Sequence, residues 1–214
     1  MKETEGMVSL GACTLLSPVP AVMLSCADET LGRPNLVTVA WAGTVCSHPP
    51  MVSVSLRPER YSHGLIVKSG CFCVNLIGRP LCRAADFCGV RSGRDTDKFR
   101  ETGLHPLAFP DFPAPAIAEA PAALLCRVTQ RIPLGSHDLF LAEIRDVRVA
   151  PRLLDADGKL RMERAELVAY AHGEYYPLRG EPMGFFGYSV AGEEALRRRM
   201  PAGRNKKKEG KEPK

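Results

Sequence analysis

A chain of 214 residues, 45% of them apolar, is long enough for one globular domain with a sizeable core. It has no run of 18 apolar residues, so a membrane-spanning helix of ordinary length is excluded, and its acidic first residues do not resemble a signal peptide. The net charge of +5 is not evidence for nucleic-acid binding, because residues 193–214 hold nine basic and four acidic residues, whereas residues 1–192 hold 20 of each. We therefore expect a solvated, disordered basic tail, no membrane partner and no specific nucleic-acid partner.

The eight cysteines do not indicate a metal site, because no two of them have the CxxC spacing of zinc or thioredoxin-like sites. Several lie in apolar runs such as GCFCVNLI at 70–77, where cysteine behaves as a small core residue. With no export signal, we expect a cytoplasmic protein with reduced cysteines. For Cys46, Cys71 and Cys73 a redox role is the alternative to a structural one.

The order of apolar segments predicts a chain of many strands and few helices. Eight strands are predicted, at 12–16, 20–26, 35–41, 51–57, 71–76, 123–132, 138–150 and 166–171. The turn sequence LGRPN at 31–35 predicts that the second and third strands form a hairpin. Short helices are predicted at 62–70, 79–89, 96–102 and 191–199, the first with Ser62 as N-cap and Gly70 as the terminating residue. The proline-rich stretch 109–121 predicts an extended loop.

This pattern indicates a mainly β fold, a β-barrel with short helices. The alternative, a doubly wound parallel sheet, needs a long helix after most strands, which the chain does not supply. The phosphate-binding patterns GxGxxG and GxxxxGK[ST] do not occur either. A nucleotide would therefore be bound by another geometry.

The segment NLVTVAWAGTV at 35–45 has one face of small and faintly polar residues, among them Thr38, Ala40 and Ala42. Such a face allows close packing against another element. The same face also allows a flat ligand to approach the strand backbone. The sequence alone favours the packing interpretation.

The segment VSVSLRPERYSHGLI at 52–66 places several anion-binding groups at the end of one strand. Arg57 and Arg60 supply cations, and Ser55 and Ser62 supply hydroxyl groups, next to a predicted helix N-terminus. The segment is thus a candidate anion site. A surface loop in which Glu59 pairs with an arginine is the alternative.

Two further segments carry polar groups. In SGRDTDKF at 92–99 the aspartates suit turn and N-cap roles, and Lys98 is long enough to reach an anion. In AYAHGEYYPLRG at 169–180, His172 and a tyrosine pair suit the wall of a cavity. No catalytic triad, HExxH motif or calcium loop is present, so we predict no catalytic side chain and no metal site.

Taken in order, these segments resemble the flavin reductase-like, FMN-binding split-barrel family, and in particular its flavoredoxin branch. The resemblance covers about residues 14–190. It includes the N-xx-T pattern that begins at Asn35, the Pro-Pro pair before the fourth strand, the R-P-x-R-Y-S loop and the D-K-F triplet that ends at Phe99. It implies an antiparallel six-stranded Greek-key split barrel, usually a homodimer, with FMN near the subunit interface.

The resemblance also implies which residues contact the cofactor. The ring of FMN lies against the strand at 36–42, and the phosphate lies in the loop at 55–62, with Lys98 as a helper. His172 and Tyr175 are candidates for the nicotinamide side. The predicted cofactor-binding residues are Asn35, Thr38, Val39, Ala40, Trp41, Thr44, Ser55, Leu56, Arg57, Ser62, Lys98 and His172.

The implied activity is hydride transfer from NADH or NADPH to flavin, for which the cofactor supplies the chemistry. A first alternative is an electron-transfer flavoprotein with a redox protein or an oxygenase as its partner. A second is a non-catalytic module for haem or another flat anion, with His48, His63 and His172 as candidate axial ligands. We expect an N-terminal extension at 1–10, one domain at 11–192 and the basic tail at 193–214.

Overall fold

The computed structural model describes residues 6–178 and 182–199. The chain divides into two compact units, the first ending at Leu178 and the second beginning at residue 179. The predicted basic tail lies outside the described residues from residue 200 onward, as do residues 1–5 of the predicted extension. The predicted domain boundaries stay a prediction.

Strands dominate the first unit. The described strands are β1 Val19–Pro20, β2 Val22–Cys26, β3 Asn35–Val39, β4 Ala42–Ser47, β5 Pro50–Leu56, β6 Cys71–Leu76, β7 Pro106–Phe109, β8 Phe112–Ile117, β9 Ala122–Pro133, β10 Asp138–Val149, β11 Val168–Ala171 and β12 Glu174–Pro177. The described α-helices are α1 Tyr61–Ser69, α2 Cys82–Val90, α3 Lys98–Thr102 and α4 Glu193–Arg199, the last of which belongs to the second unit. In the part of the chain with described structure, no helix has the length and apolar content needed to cross a bilayer.

One antiparallel sheet of seven strands forms the body of the first unit, in the order β3-β2-β6-β9-β10-β5-β4. The two edge strands, β3 and β4, follow each other in the sequence and are joined by only Ala40 and Trp41. Ser55 N donates to Trp41 O at 2.9 Å at this junction. Because so short a link connects opposite edges, the sheet must curl back on itself. The predicted mainly β split barrel is confirmed, with seven hydrogen-bonded strands rather than six.

The barrel interior is filled by alternating apolar residues of its strands, which is the usual way a small barrel is packed. Phe72 and Phe140 are the largest of its fully buried side chains, and Ile66 of α1 packs among them. A second apolar cluster lies between β2, β3, α2 and α3. Strand β2 contributes to both clusters, which explains why all five of its residues are buried. Helices α1, α2 and α3 are thereby fixed against the β2–β3 hairpin.

Several predicted elements are confirmed. The hairpin of β2 and β3 is present, α1 ends at Gly70 in the left-handed region with φ 65°, and Asp97 caps α3 by accepting from Arg100 N at 3.2 Å. A 3₁₀ turn, Arg79–Leu81, leads into α2 and accounts for the predicted helix at 79–89.

Other predictions were wrong. Residues 12–16 form no strand, and the predicted strand 35–41 ends at Val39. Ser62 is not the N-cap of α1, because the helix begins one residue earlier and Arg60 occupies that position. The proline-rich stretch forms β8 of a two-stranded hairpin with β7, where its prolines are tolerated because the strand lies outside the main sheet.

Candidate functional site

Two neighbouring cavities lie where β3, β5 and α1 meet. The cationic cavity, about 410 Å³, lies between β3, the start of α1 and the segment that follows α2. The strand-end cavity, about 480 Å³, lies at the ends of β3 and β5. Arg57 and Arg60 line both cavities. A single elongated ligand can therefore contact both.

The cationic cavity is dominated by positive charge. Its lining includes five basic side chains and one carboxylate, those of Arg57, Arg60, Arg91, Arg94, Lys98 and Glu59. A concave surface that concentrates one sign of charge attracts ligands of the opposite sign. The cavity is therefore suited to an anion.

The cavity floor is formed by a buried polar pair. Asn35 Nδ2 donates to Ser62 Oγ at 2.7 Å, and both side chains are buried. The Ser62 hydroxyl also lies within hydrogen-bonding reach of the buried Cys26 thiol, where it lowers the Cys26 pKa against the larger effect of burial. Gly93 lies so close that a Cβ at this position would be 2.0 Å from Asn35 Oδ1. A side chain at residue 93 would therefore displace the Asn35 amide.

Lys98 lies beneath the same cavity with its ammonium group buried. Its Nζ donates to Leu36 O at 2.6 Å and to Cys88 O at 2.8 Å. An ammonium group has three protons, so one donor remains beyond these two bonds. Burial disfavours the charged form and lowers the pKa of Lys98 to about 8.

The two arginines shared by the cavities differ in their contacts. Arg60 Nη1 donates to Gly89 O at 3.0 Å and so connects the start of α1 to the end of α2. Arg57 pairs with Glu59 at 3.4 Å, and both side chains are more than half exposed. The predicted surface pair is thus present, but an exposed pair of this kind contributes only about 0–1 kcal/mol to stability. Arg57 remains available to a ligand.

The strand-end cavity is lined by the backbone-rich junction between β3 and β4 and by two hairpin turns. The Trp41 ring lies 4.6 Å from the ring of His137, which precedes β10, with 39° between their planes. His172 and Gly173 form the two-residue turn between β11 and β12, with φ values of 49° and 90°. Positive φ at both positions is characteristic of such tight hairpins, which fixes His172 at the cavity edge. The site thus combines aromatic rings with small strand residues.

Eleven of the twelve predicted cofactor-binding residues line one of the two cavities. Thr44 does not, because the strand breaks at Ala40–Trp41 and Thr44 lies beyond the break on β4, where it is exposed. Tyr175 is also absent from both linings; its ring packs against Tyr170 at 5.2 Å, and burial raises its pKa to about 12. The roles of these residues toward a cofactor stay predictions.

Sequence reasoning missed several lining residues, among them Arg91, Arg94, His137 and Tyr170. The two arginines flank Ser92-Gly93 just after a predicted helix, and this local clustering of charge was a usable signal. The position of His137 was not predictable, because its stacking on Trp41 depends on how β9 and β10 pack beside the β3–β4 junction.

The remaining candidate groups do not belong to either cavity. Cys71 and Cys73 are fully buried, and burial raises the pKa of both thiols, which keeps them neutral. Nε2 of the buried His63 lies 2.8 Å from Asp138 Oδ2, so this ring nitrogen already has a partner. Within residues 6–178 and 182–199, no group of three or more His, Cys, Asp or Glu residues is arranged to hold a metal ion.

The burial of Lys98 predicts a specific pH dependence of stability. The lowered pKa means that the unfolded chain, with a lysine pKa of 10.5, binds more protons than the folded chain between about pH 8 and 10.5. The free energy of unfolding of the wild type should therefore rise with pH in this window relative to that of Lys98→Met. We expect the relative slope to approach about 1 kcal/mol per pH unit in urea titrations.

The control is Lys68→Met, because Lys68 lies on α1 with a side chain that is 64% exposed and paired with Glu29. This variant should show the same pH profile as the wild type. If the difference in free energy of unfolding between the wild type and Lys98→Met does not change from pH 8 to 10.5, the buried-ammonium interpretation is contradicted.

Comparison with known proteins assigns the chain to a family. The sequence profile described as "Flavin reductase like domain" matches residues 16–179. Flavoredoxin of Desulfovibrio vulgaris (Miyazaki F) is 35% identical, with a TM-score of 0.76 over 82% of this chain and 95% of that structure. NADPH-flavin oxidoreductase of Streptomyces viridifaciens is 34% identical over 116 residues, which is 52% of this chain and 57% of that protein.

A third relative is the reductase component of the 4-nitrophenol 4-monooxygenase/4-nitrocatechol 2-monooxygenase of Rhodococcus opacus. It is 31% identical over 113 residues, which is 53% of this chain and 57% of that protein. The chain spans between 50% and 65% of the length of several curated relatives that it matches. Because the profile covers most of the described first unit and the solved neighbour has the same architecture, the chain belongs to the flavin reductase-like split-barrel family.

Proposed function

We propose that the protein binds FMN across the two cavities and transfers a hydride from NADH or NADPH to flavin. The observation that carries this proposal is the adjacency of a cation-lined cavity and a cavity lined by small strand residues and by the Trp41 and His137 rings, which share Arg57 and Arg60. FMN has the same division into a dianionic phosphate and a planar ring. The names of the flavin oxidoreductase and flavoredoxin relatives support the flavin assignment.

The residues present fit the phosphate of FMN. The guanidinium of Arg57 offers paired N–H donors, and the hydroxyl group of Ser62 lines the same cavity. The ammonium of Lys98 contributes a third donor from the floor of the cavity. A phosphate beside Lys98 compensates the burial of that charge, so phosphate binding and lysine protonation stabilise each other.

The strand-end cavity fits the ring system. Thr38, Val39 and Ala40 present small side chains at the end of β3, so a planar ligand can approach the backbone there. Thr38 Oγ1 already donates to Ala85 O, which holds this side chain toward α2. His172 borders the same cavity from its hairpin turn. These residues bind and orient the ring, and none has to transfer a proton to a substrate.

Bound FMN supplies the hydride-accepting chemistry, and the protein supplies orientation. This division explains why no acid–base pair is required in the cavities. The second candidate function is electron transfer between FMN and a protein partner, which the flavoredoxin and monooxygenase-reductase relatives favour. In that case the partner is a redox protein or an oxygenase.

Anaerobic titration separates these functions. Protein reconstituted with FMN should lose its flavin absorbance when NADH or NADPH is added, because hydride transfer reduces the ring. Reduction by neither nucleotide, with dithionite as the positive control, would support the electron-transfer function instead. Protein that takes up no FMN would contradict both.

Arg57→Ala should weaken FMN binding about tenfold, with little effect on riboflavin, because riboflavin lacks the phosphate that the guanidinium contacts. Fluorescence quenching of each flavin measures the two affinities. Arg83→Ala is the matched control, since Arg83 is an exposed arginine on α2 outside both cavity linings. Equal losses for FMN and riboflavin would exclude Arg57 as a phosphate ligand.

We also propose a homodimer. Several apolar side chains that line the strand-end cavity are exposed, including Leu16 at 86% and Leu15 at 52%, and such a patch is typical of a protein interface. Light scattering should give twice the chain mass of 23.3 kDa. A Leu16→Asp variant should shift the mass toward the monomer, and a wild type that is already monomeric would overturn the proposal.

A further inference from the structure

We infer that the cationic cavity has a second phosphate subsite, with Arg91 and Arg94 as its ligands. The inference deepens the proposed function and rests on it. The subsite takes a nucleotide phosphate beyond the one that FMN carries. Two sources have this chemistry: the pyrophosphate of FAD, and the 2′-phosphate of NADPH.

The depth of the cationic side chains divides the cavity into two parts. The inner part has buried donors, with Lys98 3% and Ser62 2% exposed. The outer part is formed by Arg91 and Arg94, which are exposed and follow the end of α2. A phosphate held by the inner donors leaves the outer pair facing solvent, where the remainder of a larger nucleotide would extend.

The N–H donors of the two outer arginines are also available to a ligand. Among the described residues, neither the Arg91 nor the Arg94 guanidinium has a hydrogen-bond or ion-pair partner, whereas Arg60 donates to Gly89 O and Arg57 pairs with Glu59. The Arg94 guanidinium lies 5.5 Å over the ring of Tyr61. This contact holds it at the cavity mouth without occupying its N–H donors.

The segment that carries both arginines is fixed to the barrel. Arg33 Nη2 donates to Gly93 O at 3.1 Å, and Arg33 also pairs with Asp97 at 3.4 Å. Gly93 packs directly against the Asn35 amide on the cavity floor. Since both outer arginines lie within two residues of this anchored glycine, the backbone that carries them is placed relative to the inner donors before a ligand arrives.

Charge and size agree with a second phosphate. Five cations face one carboxylate in the lining, and the phosphate of FMN carries at most two negative charges. The volume of about 410 Å³ lies in the range of roughly 300–1,000 Å³ that encloses whole small ligands. When one phosphate group is bound, positive charge and volume remain in the cationic cavity for a second.

The test compares ligand pairs that differ by one phosphate contact. Dissociation constants for FMN and FAD are measured by fluorescence quenching on the wild type, Arg91→Gln, Arg94→Gln and the double variant. Steady-state kinetics with NADH and NADPH follow on the FMN-loaded proteins. We expect the double variant to raise the dissociation constant of FAD, or the KM for NADPH, by about tenfold or more. The dissociation constant of FMN, or the KM for NADH, should change by less than about threefold.

The pattern of losses identifies the source. A selective loss for FAD assigns the subsite to the flavin pyrophosphate, and a selective loss for NADPH assigns it to the 2′-phosphate. Equal changes within both pairs, or no change in either, would overturn the inference. Arg83→Ala serves as the control for a lost surface charge, and thermal unfolding of every variant checks that the fold is retained.

Failure of the proposed function is recognised separately. If the wild type binds no FMN, the flavin proposal fails, and the subsite is judged by calorimetry with inorganic pyrophosphate and inorganic phosphate alone. Tighter binding of pyrophosphate by the wild type than by the double variant then supports the subsite. Indistinguishable binding by the two proteins overturns it.

Discussion

The buried ammonium group of Lys98 is the interaction on which the candidate site depends. Lys98 begins α3, yet it donates to Leu36 O of β3 and to Cys88 O of α2, so one side chain joins three elements around the cationic cavity. Burying a charge is unfavourable unless hydrogen bonds or an opposite charge compensate it. Burial lowers the pKa of Lys98 although two carbonyls accept from its ammonium group. An anion bound in the cavity would supply further compensation, so the interaction that joins these elements would also favour the proposed ligand.

The closure of the barrel has a comparable effect on the second cavity. Strands β3 and β4 are opposite edges of the sheet, and the chain passes from one to the other through Ala40 and Trp41. At this junction only one backbone bond to β5 is present, from Ser55 N to Trp41 O. The split therefore leaves backbone near a surface cavity that a fully paired barrel would cover. The feature that opens the barrel is also the feature that offers a flat surface.

The sequence predicted two helix termini more accurately than it predicted the end of β3. Local rules identified Gly70 and Asp97 correctly, because helix termini depend on nearby backbone geometry. The strand at 35–41 was extended too far, since the alternation of side chains continues across the break at residue 40 while the hydrogen-bond partner changes from β2 to β5. Thr44 lies beyond this break on β4, outside both cavity linings, and its predicted role toward the cofactor stays a prediction. A change of hydrogen-bonding strand depends on the tertiary structure and does not alter the local alternation of side chains.

The net charge of this chain does not reveal that basic residues are concentrated in one cavity, because that concentration depends on the fold. The first 192 residues balance to zero, yet the cationic cavity gathers five basic residues against one acidic residue. Its two walls come from segments about thirty residues apart, 57–62 and 90–98, and the Arg60–Gly89 bond holds them together. Their compensating acids are placed differently: Asp97 pairs with Arg33, and Asp28 accepts from Tyr61. Charge is therefore separated within a neutral domain because these acids form structural bonds, whereas the Arg91 and Arg94 guanidinium groups have no ion-pair partner among the described residues. This separation gives a domain with no net charge one strongly cationic cavity, which is the feature that the proposed phosphate binding requires.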